Sequence, residues 1–571
     1  MKMLLDYIKP HKWPMLLGLM LKFFAAMLDL MIPYLLETIL DKAAPTGEIR
    51  RVVFWGGVMV VCAIASITIN VTANRMATFN SGKVTRRLRH DLFSRVSYLS
   101  AKQTDEFTVP SLISRLTTDS YNVNDMLVRV QRIGVRSPFL LIGGIVMTMT
   151  LDPVLTLVLT AMLPIIAIVV FFVTKYSVPV YTECQRILDI LVRIVQENAT
   201  GIRVIKALSK SEHERKKFGE VNSHLADEDK KVGAIMAITN PVATVVLNLG
   251  LTLVVIVGAR RVNSGLTEPG TIIAFLSYFT IILNAMLGIT RVFVVCSKGV
   301  ASAKRIEVVL NTTEDMPVIS SDITEDVTAP MIEMEHVSFS YNKVEDNVTD
   351  IDFKLMRGQT LGIIGATGSG KTTIINLLIR FYDPDRGVIR INGREIRSME
   401  RSELCSKFGI AFQNDFIMAN SIAANIDFGR NLTREQINRA IVLAQAENVV
   451  SGLKEGIDYD LTARGTNISG GQKQRVIIAR AVASQPEILV LDDSSSALDY
   501  KTDAKLRRAL HDGLPGTTTI IVAQRISSIM NADLILVLDE GRIIGRGKHK
   551  DLIETCDEYK LIAETQMGGA V

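Results

Sequence analysis

The eight consecutive residues Gly365-Ala366-Thr367-Gly368-Ser369-Gly370-Lys371-Thr372 hold the most specific chemistry in the chain. Glycines in such a run let backbone N–H groups turn inward around phosphate oxygens, and a helix that starts there adds the positive end of its dipole. Lys371 can then reach the β and γ phosphates of a nucleotide, and Thr372 can hold Mg²⁺. A short apolar strand, Thr360 to Ile364, runs into the loop and an apolar helical pattern leaves it, the setting that a phosphate-binding loop needs. A second apolar strand, Ile488 to Leu491, ends in Asp492, a carboxylate suited to binding Mg²⁺ through water. Between these two elements stand Ser469, Gly470, Gly471 and Gln472, where a glycine pair opens another helix and so offers another anion-binding start. A single nucleotide does not obviously need both.

These residues lie in the second part of a chain whose two parts differ in composition. The whole of its 571 residues is 48% hydrophobic and 22% charged, with mean hydropathy +0.27. That average hides an apolar first half and an ordinary charged second half. Six apolar stretches can each supply the roughly 20 residues of a bilayer-crossing helix. They run near Met15 to Leu40, Val52 to Val71, Ile133 to Leu151, Val154 to Phe172, Val232 to Val257 and Thr271 to Val295. Two long connections, Met76 to Arg136 and Ser177 to Lys231, are rich in Lys and Arg, which places them, the N-terminus and the C-terminal half in the cytoplasm. Both keep apolar residues at helical spacing, for example Leu88, Leu92, Val96 and Leu99, so the membrane helices are expected to extend into the cytosol as levers. The levers are expected to reverse at Ser111 to Asp119 and at Thr200 to Ala207.

Within the spans, Lys22 and Asp29 fall close to one helical face and Arg291 sits late in the sixth, as a structural ion pair or snorkelling groups on one reading and as substrate contacts on the other. Methionines 20, 27, 31, 147, 149 and 286 could line an adaptable cavity, although lipid contact or helix packing explains any one of them better. Five scattered cysteines give neither a zinc site nor a disulfide framework. A net charge of +5 without an aromatic-laced basic surface argues against a nucleic-acid partner. The polar, acidic stretch 311–330 reads as a linker between a transmembrane domain, 1–310, and a nucleotide-binding domain, 331–571.

In this order along the chain, Ser469 to Gln472 resembles the signature motif of ATP-binding cassette (ABC) transporters, between a Walker A loop and a Walker B strand. The resemblance covers nearly the whole chain, with Ile468 where leucine is more usual. It implies the exporter-type half-transporter: a six-span helical domain with long cytoplasmic extensions, then an α/β P-loop cassette, working as a dimer in the cell's inner or plasma membrane. It implies ATP and Mg²⁺ as cofactors, with ATP held by Tyr341, Gly365, Thr367, Gly368, Ser369, Gly370, Lys371, Thr372, Thr373 and Gln413. Tyr341 would stack on adenine, and Thr372, Gln413 and Asp492 would hold the metal. Ser496, Ala497, Leu498 and Asp499 match the D-loop, and the lever tips match coupling helices. In this family two cassettes close head to tail, so the signature of one chain meets ATP on the other, which answers the puzzle of two anion sites.

Two positions depart from the family pattern. Asp493 stands where a glutamate usually polarises the attacking water, and Gln524 stands at the switch position that normally holds histidine. A carboxylate withdrawn by about 1.5 Å cannot easily hold an in-line water, and a misplacement of about 1 Å can cost about 10²-fold in rate. Glutamine can donate to a γ phosphate but carries no positive charge. An intact signature beside a weakened catalytic station gives the expectation of a degenerate-site subunit in a heterodimeric exporter of small amphipathic or hydrophobic molecules, like bacterial multidrug exporters. The alternatives are a homodimeric exporter and an ATP-gated regulatory subunit.

Overall fold

A computed structural model of the chain describes residues 2–313, 315–320, 324–413, 415–494 and 498–567. They fall into two compact units, Met1–Tyr98 with Thr108–Thr312, and Leu99–Phe107 with Thr313–Val571.

The first unit is helical. Five helices among the described residues are long and apolar enough to cross a membrane, and a sixth apolar run, Pro153–Val169, opens the helix that follows Asp152. The extensions foreseen from the sequence are continuous helices: Ile49–Ser97 has 49 residues, or about 73 Å at 1.5 Å per residue. Pro153–Thr200, Ser211–Asn263 and Pro269–Leu310 have 48, 53 and 42 residues. Along Ile49–Ser97 the apolar Val53, Val61, Ile64 and Ile67 stay exposed, as a face meant for lipid does. Asp152 starts the helix Pro153–Thr200 by accepting from the N–H groups of Val154 and Leu155, and it also pairs with Arg261 at 2.8 Å.

One expected reversal lies elsewhere. The first lever ends at Ser97, a short helix Ala101–Phe107 follows, and Thr108, at φ 62°, turns the chain into the helix Val109–Ser114. The polar stretch taken for the tip instead continues helically, with π winding over Arg115–Asp119 and Asp119 buried against Arg305. The helix accommodates its polar residues without a turn: Asp119 is held by Arg305, the Thr117 hydroxyl donates to the Ile113 carbonyl one turn back, and Ser114 and Thr118 are exposed. The second reversal falls where expected, around the short helix Ile202–Ala207.

The second unit is α/β. Its strands are β1 (Ile332–Phe339), β2 (Val348–Leu355), β3 (Thr360–Gly365), β4 (Arg386–Ile391), β5 (Arg394–Glu395), β6 (Phe408–Ala411), β7 (Ile488–Asp492), β8 (Thr518–Val522), β9 (Leu534–Asp539) and β10 (Arg542–Gly547). Four form a sheet in the order β2-β1-β4-β5, and six form a second sheet in the order β10-β9-β3-β8-β7-β6. In the second sheet β9, β3, β8, β7 and β6 run parallel. Strand β7 is buried along its whole length, as expected of an apolar run covered on both faces. One core packs the phosphate helix Lys371–Leu378 between the sheets through Ile374, Ile375, Leu377 and Leu378. A second core packs the helices between β6 and β7, including Gly470–Val482, against the far side of β7.

Candidate nucleotide site and membrane cavity

The parallel order β3-β8-β7-β6 sets four strand ends side by side, the place where open parallel sheets bind ligands. Lys371 follows β3, Gln524 follows β8, Asp492 and Asp493 stand at the end of β7, and Gln413 follows β6. Residues up to 177 positions apart in sequence, Asn347 and Gln524, thus meet around one cavity of about 290 Å³, whose lining also includes Thr367, Lys371, Thr372, Gln413 and Asp492.

The loop is shaped by what its glycines exclude. A Cβ on Gly365 would lie 2.1 Å from the Leu538 carbonyl oxygen, so β9 could not pass so close to a larger residue. Gly370 holds φ at +95°, which places the helix start and its free N–H groups toward the cavity. The Lys371 ammonium curls back onto its own loop, donating to the carbonyls of Gly365 at 2.9 Å and Ala366 at 2.6 Å. Burial lowers its pKa, and Asp492 and Asp493 oppose that shift. Ser369 is buried behind the loop, and Thr373 lines the cavity beside Thr372.

Asp492 is only 2% exposed, and the Thr372 hydroxyl donates to it at 3.5 Å. Burial first, and then the neighbouring Asp493 charge, push its carboxyl above the usual range. A buried carboxylate beside a second carboxylate and a hydroxyl is a hard-oxygen donor set short of positive charge, and Mg²⁺ fits it. Thr372 and Asp492 would hold the ion, with Gln413 lining the same cavity, and the ion would neutralise phosphate charge there.

Asp493 takes a left-handed backbone, φ +47°, and a single carboxylate oxygen, Oδ2, accepts from Gln413 Nε2 at 3.0 Å and from Gln524 Nε2 at 2.8 Å. Burial raises its carboxyl too, against the pull of those two amides. The two departures seen in the sequence therefore touch one another.

Other residues named from the sequence are more dispersed. Tyr341 is half exposed just past β1, its ring edge-on to Tyr382 at 5.0 Å and its hydroxyl accepting from Asn376 at 3.2 Å. Ser469 caps the helix Gly470–Val482 in a reciprocal box with Gln472, and neither they nor Gly470 and Gly471 line the cavity. Of the D-loop, Ser496 and Ala497 lie outside the described residues. The Leu498 carbonyl accepts from Arg525, and Asp499 caps the helix Tyr500–Gly513. Asn347 lines the cavity and Tyr382 backs Tyr341, and neither belongs to a motif that spacing could reveal.

The first unit has its own cavity, of about 900 Å³, between the helices that carry Asp29, Arg136 and Arg291. Lys22 and Asp29 do not pair with each other. Asp29 binds Arg136 at 2.6 Å and the Ser66 hydroxyl at 2.5 Å, whereas Lys22 donates to the side chains of Asn70 and Asn74. Arg132 and Arg136, counted with the cytoplasmic loop by charge, line this cavity. None of the six methionines does so.

Residues 15–286 match the ABC transporter transmembrane region and residues 348–496 match the ABC transporter cassette. An uncharacterized ABC transporter ATP-binding protein of Bacillus subtilis, YfiB, is 32% identical over all of this chain and 99% of its own length. A probable multidrug resistance ABC transporter ATP-binding/permease protein of the same organism, YheH, is 28% identical over 91% of this chain and 77% of its own. A bacterial Atm1-family ABC exporter with ATP bound shares the fold, with a TM-score of 0.83 over 98% of this chain and 99% of the other at 21% identity. The chain belongs to the ABC transporter family, as an exporter-type half-transporter by fold. It is an ATPase-coupled membrane transporter with a cytoplasmic ATP-binding domain.

Proposed function

We propose that this chain is the degenerate-site half of a heterodimeric exporter of small amphipathic molecules in the plasma or inner membrane. Residues 1–310 form its membrane domain, 311–330 a linker and 331–571 its nucleotide-binding domain. The observation that carries the reading is the state of Asp493. Its shortened side chain is tied by one oxygen to two glutamine amides, so the group that should orient water is occupied and set back. The chain's own loop, with Lys371, Thr372 and Asp492, binds MgATP and hydrolyses it slowly. The signature residues Ser469 to Gln472 complete a second ATP site on a partner that supplies glutamate and histidine. ATP-driven closure moves the levers, and hydrolysis at the partner's site resets them. The multidrug name of one relative at 28% identity agrees with an exporter of small molecules. The test is ATPase activity of the purified chain alone and with a glutamate-bearing half-transporter: low turnover alone and brisk turnover in the pair support the proposal. Brisk turnover alone refutes it.

A further inference from the structure

The cavity of the membrane unit is lined by more positive charge than its lining carboxylate balances. Around the cavity of about 900 Å³ stand Arg132, Arg136 and Arg291 against a single carboxylate, Asp29. That carboxylate is already engaged by Arg136 and Ser66. Arg132 donates only to uncharged groups among the described residues, the Thr78 hydroxyl and the Asn74 carbonyl, and its Nε is buried without a partner. The Nε of Arg136 is unpartnered in the same way. Arg291, an exposed residue, donates among the described residues only to the Leu287 carbonyl one turn earlier, at 3.4 Å. Lys22, 2% exposed, adds a fourth cation through Asn74, which it shares with Arg132. Ionisable groups at membrane depth are costly and normally pair with opposite charge. Here four cations share one anion.

Local structure turns one of these cations toward open space. The backbone winds as a π-helix over Val130–Gly134, a feature often found at functional positions, and Arg132 lies within it, lining both this cavity and a neighbouring one of about 460 Å³. The remaining wall is amphipathic: Ile32, Leu36, Leu276 and Ile281 supply apolar surface, and Ser277 and Thr280 supply hydroxyls. A cationic amphiphile would meet weakly screened repulsion there, whereas an anionic one would supply the missing counter-charge.

We propose that this cavity binds an amphiphile with an anionic head of the carboxylate or phosphate class, the head among Arg132, Arg136 and Arg291 and the tail along the apolar wall. That the ligand is cargo rests on the export reading above, but its binding does not. The test uses the full chain in phosphatidylcholine nanodiscs, titrated with dansyl-undecanoate and with the matched dansyl-undecylamine. Wild type should prefer the carboxylate by about ten-fold or more. The double variant Arg132→Gln/Arg291→Gln should bring the ratio near one, and Arg291→Lys should keep the preference. Nucleotide binding by a fluorescent ATP analogue reports folding of each variant, and Arg291→Gln alone, expected to lower the ratio, serves if the double variant fails that check. Equal binding of the two probes, preference for the amine, or an unchanged ratio in the folded variants would overturn the proposal. Doping the nanodisc with phosphatidylglycerol separates the sources: displacement of the carboxylate probe identifies a lipid headgroup as the anion, and persistence identifies a free amphiphile. Both of those results sustain an anionic site. Failure of export with intact probe selectivity would count against the transport reading alone.

Discussion

At the scale of single residues, the Asp493 carboxylate has to do two things at once. It must stay ionised beside Asp492 in a half-buried site, and it is held by Gln413 and Gln524 through one oxygen. Lengthening it should release it toward a water while Gln524 still lacks histidine's charge. Asp493→Glu is therefore expected to raise hydrolysis at this chain's own loop by roughly ten-fold, short of the 10²-fold that full positioning can supply. Single-turnover kinetics measure this, and complete restoration would show that Gln524 is irrelevant. The raised carboxyls of Asp492 and Asp493 also affect stability. In the unfolded chain both release their protons near the ordinary value of 3.8, but the folded protein holds them to higher pH. Folding stability therefore falls as pH climbs through that interval, and the cost is complete at neutrality. Without nucleotide, Asp493→Asn is expected to raise the melting temperature at pH 7.5 by about 2 °C, with the gain shrinking toward pH 4. A gain that grows on acidification would contradict this electrostatic account.

At the scale of elements, the helix Ala101–Phe107 is the informative one. Its sequence neighbours on both sides belong to the membrane unit, yet it packs within the second unit. Asp105 accepts from the Tyr382 hydroxyl at 2.5 Å, and Gln103 donates to the Thr313 carbonyl at 2.7 Å. Tyr382 in turn lies edge-on to Tyr341, so the helix is one ring away from the proposed adenine platform. Tyr382→Phe should leave ATP affinity unchanged and weaken substrate stimulation of ATPase about five-fold, the equivalent of one net hydrogen bond of about 1 kcal/mol. Unaltered stimulation would remove Tyr382 from the coupling route. This helix also marks where sequence reasoning stopped. The phosphate loop and β7 are legible because their chemistry needs contiguous residues and a buried apolar strand. The tip is not, because a left-handed Thr108 and contacts with residues some 210 and 277 positions away fix it. Arg132 and Arg136 show the same limit: counting charges assigns a side of the membrane, but helix winding and neighbours decide what a guanidinium faces.

At the scale of the whole molecule, the signature helix start does not line the chain's own nucleotide cavity, and that separation gives the two anion sites different tasks in the proposed pair. Lys371→Ala should weaken nucleotide binding at this chain's loop, read by equilibrium titration, while the pair keeps measurable turnover at the partner's loop. Total loss of turnover would mean that the sites are not separable. The most direct measurement follows nucleotide on each chain of the assembled pair through one turnover, using a photoreactive radiolabelled ATP and separating the cross-linked subunits. The account expects ATP to remain on this chain while ADP forms on the glutamate-bearing partner. ADP forming on both chains at the same rate would contradict it.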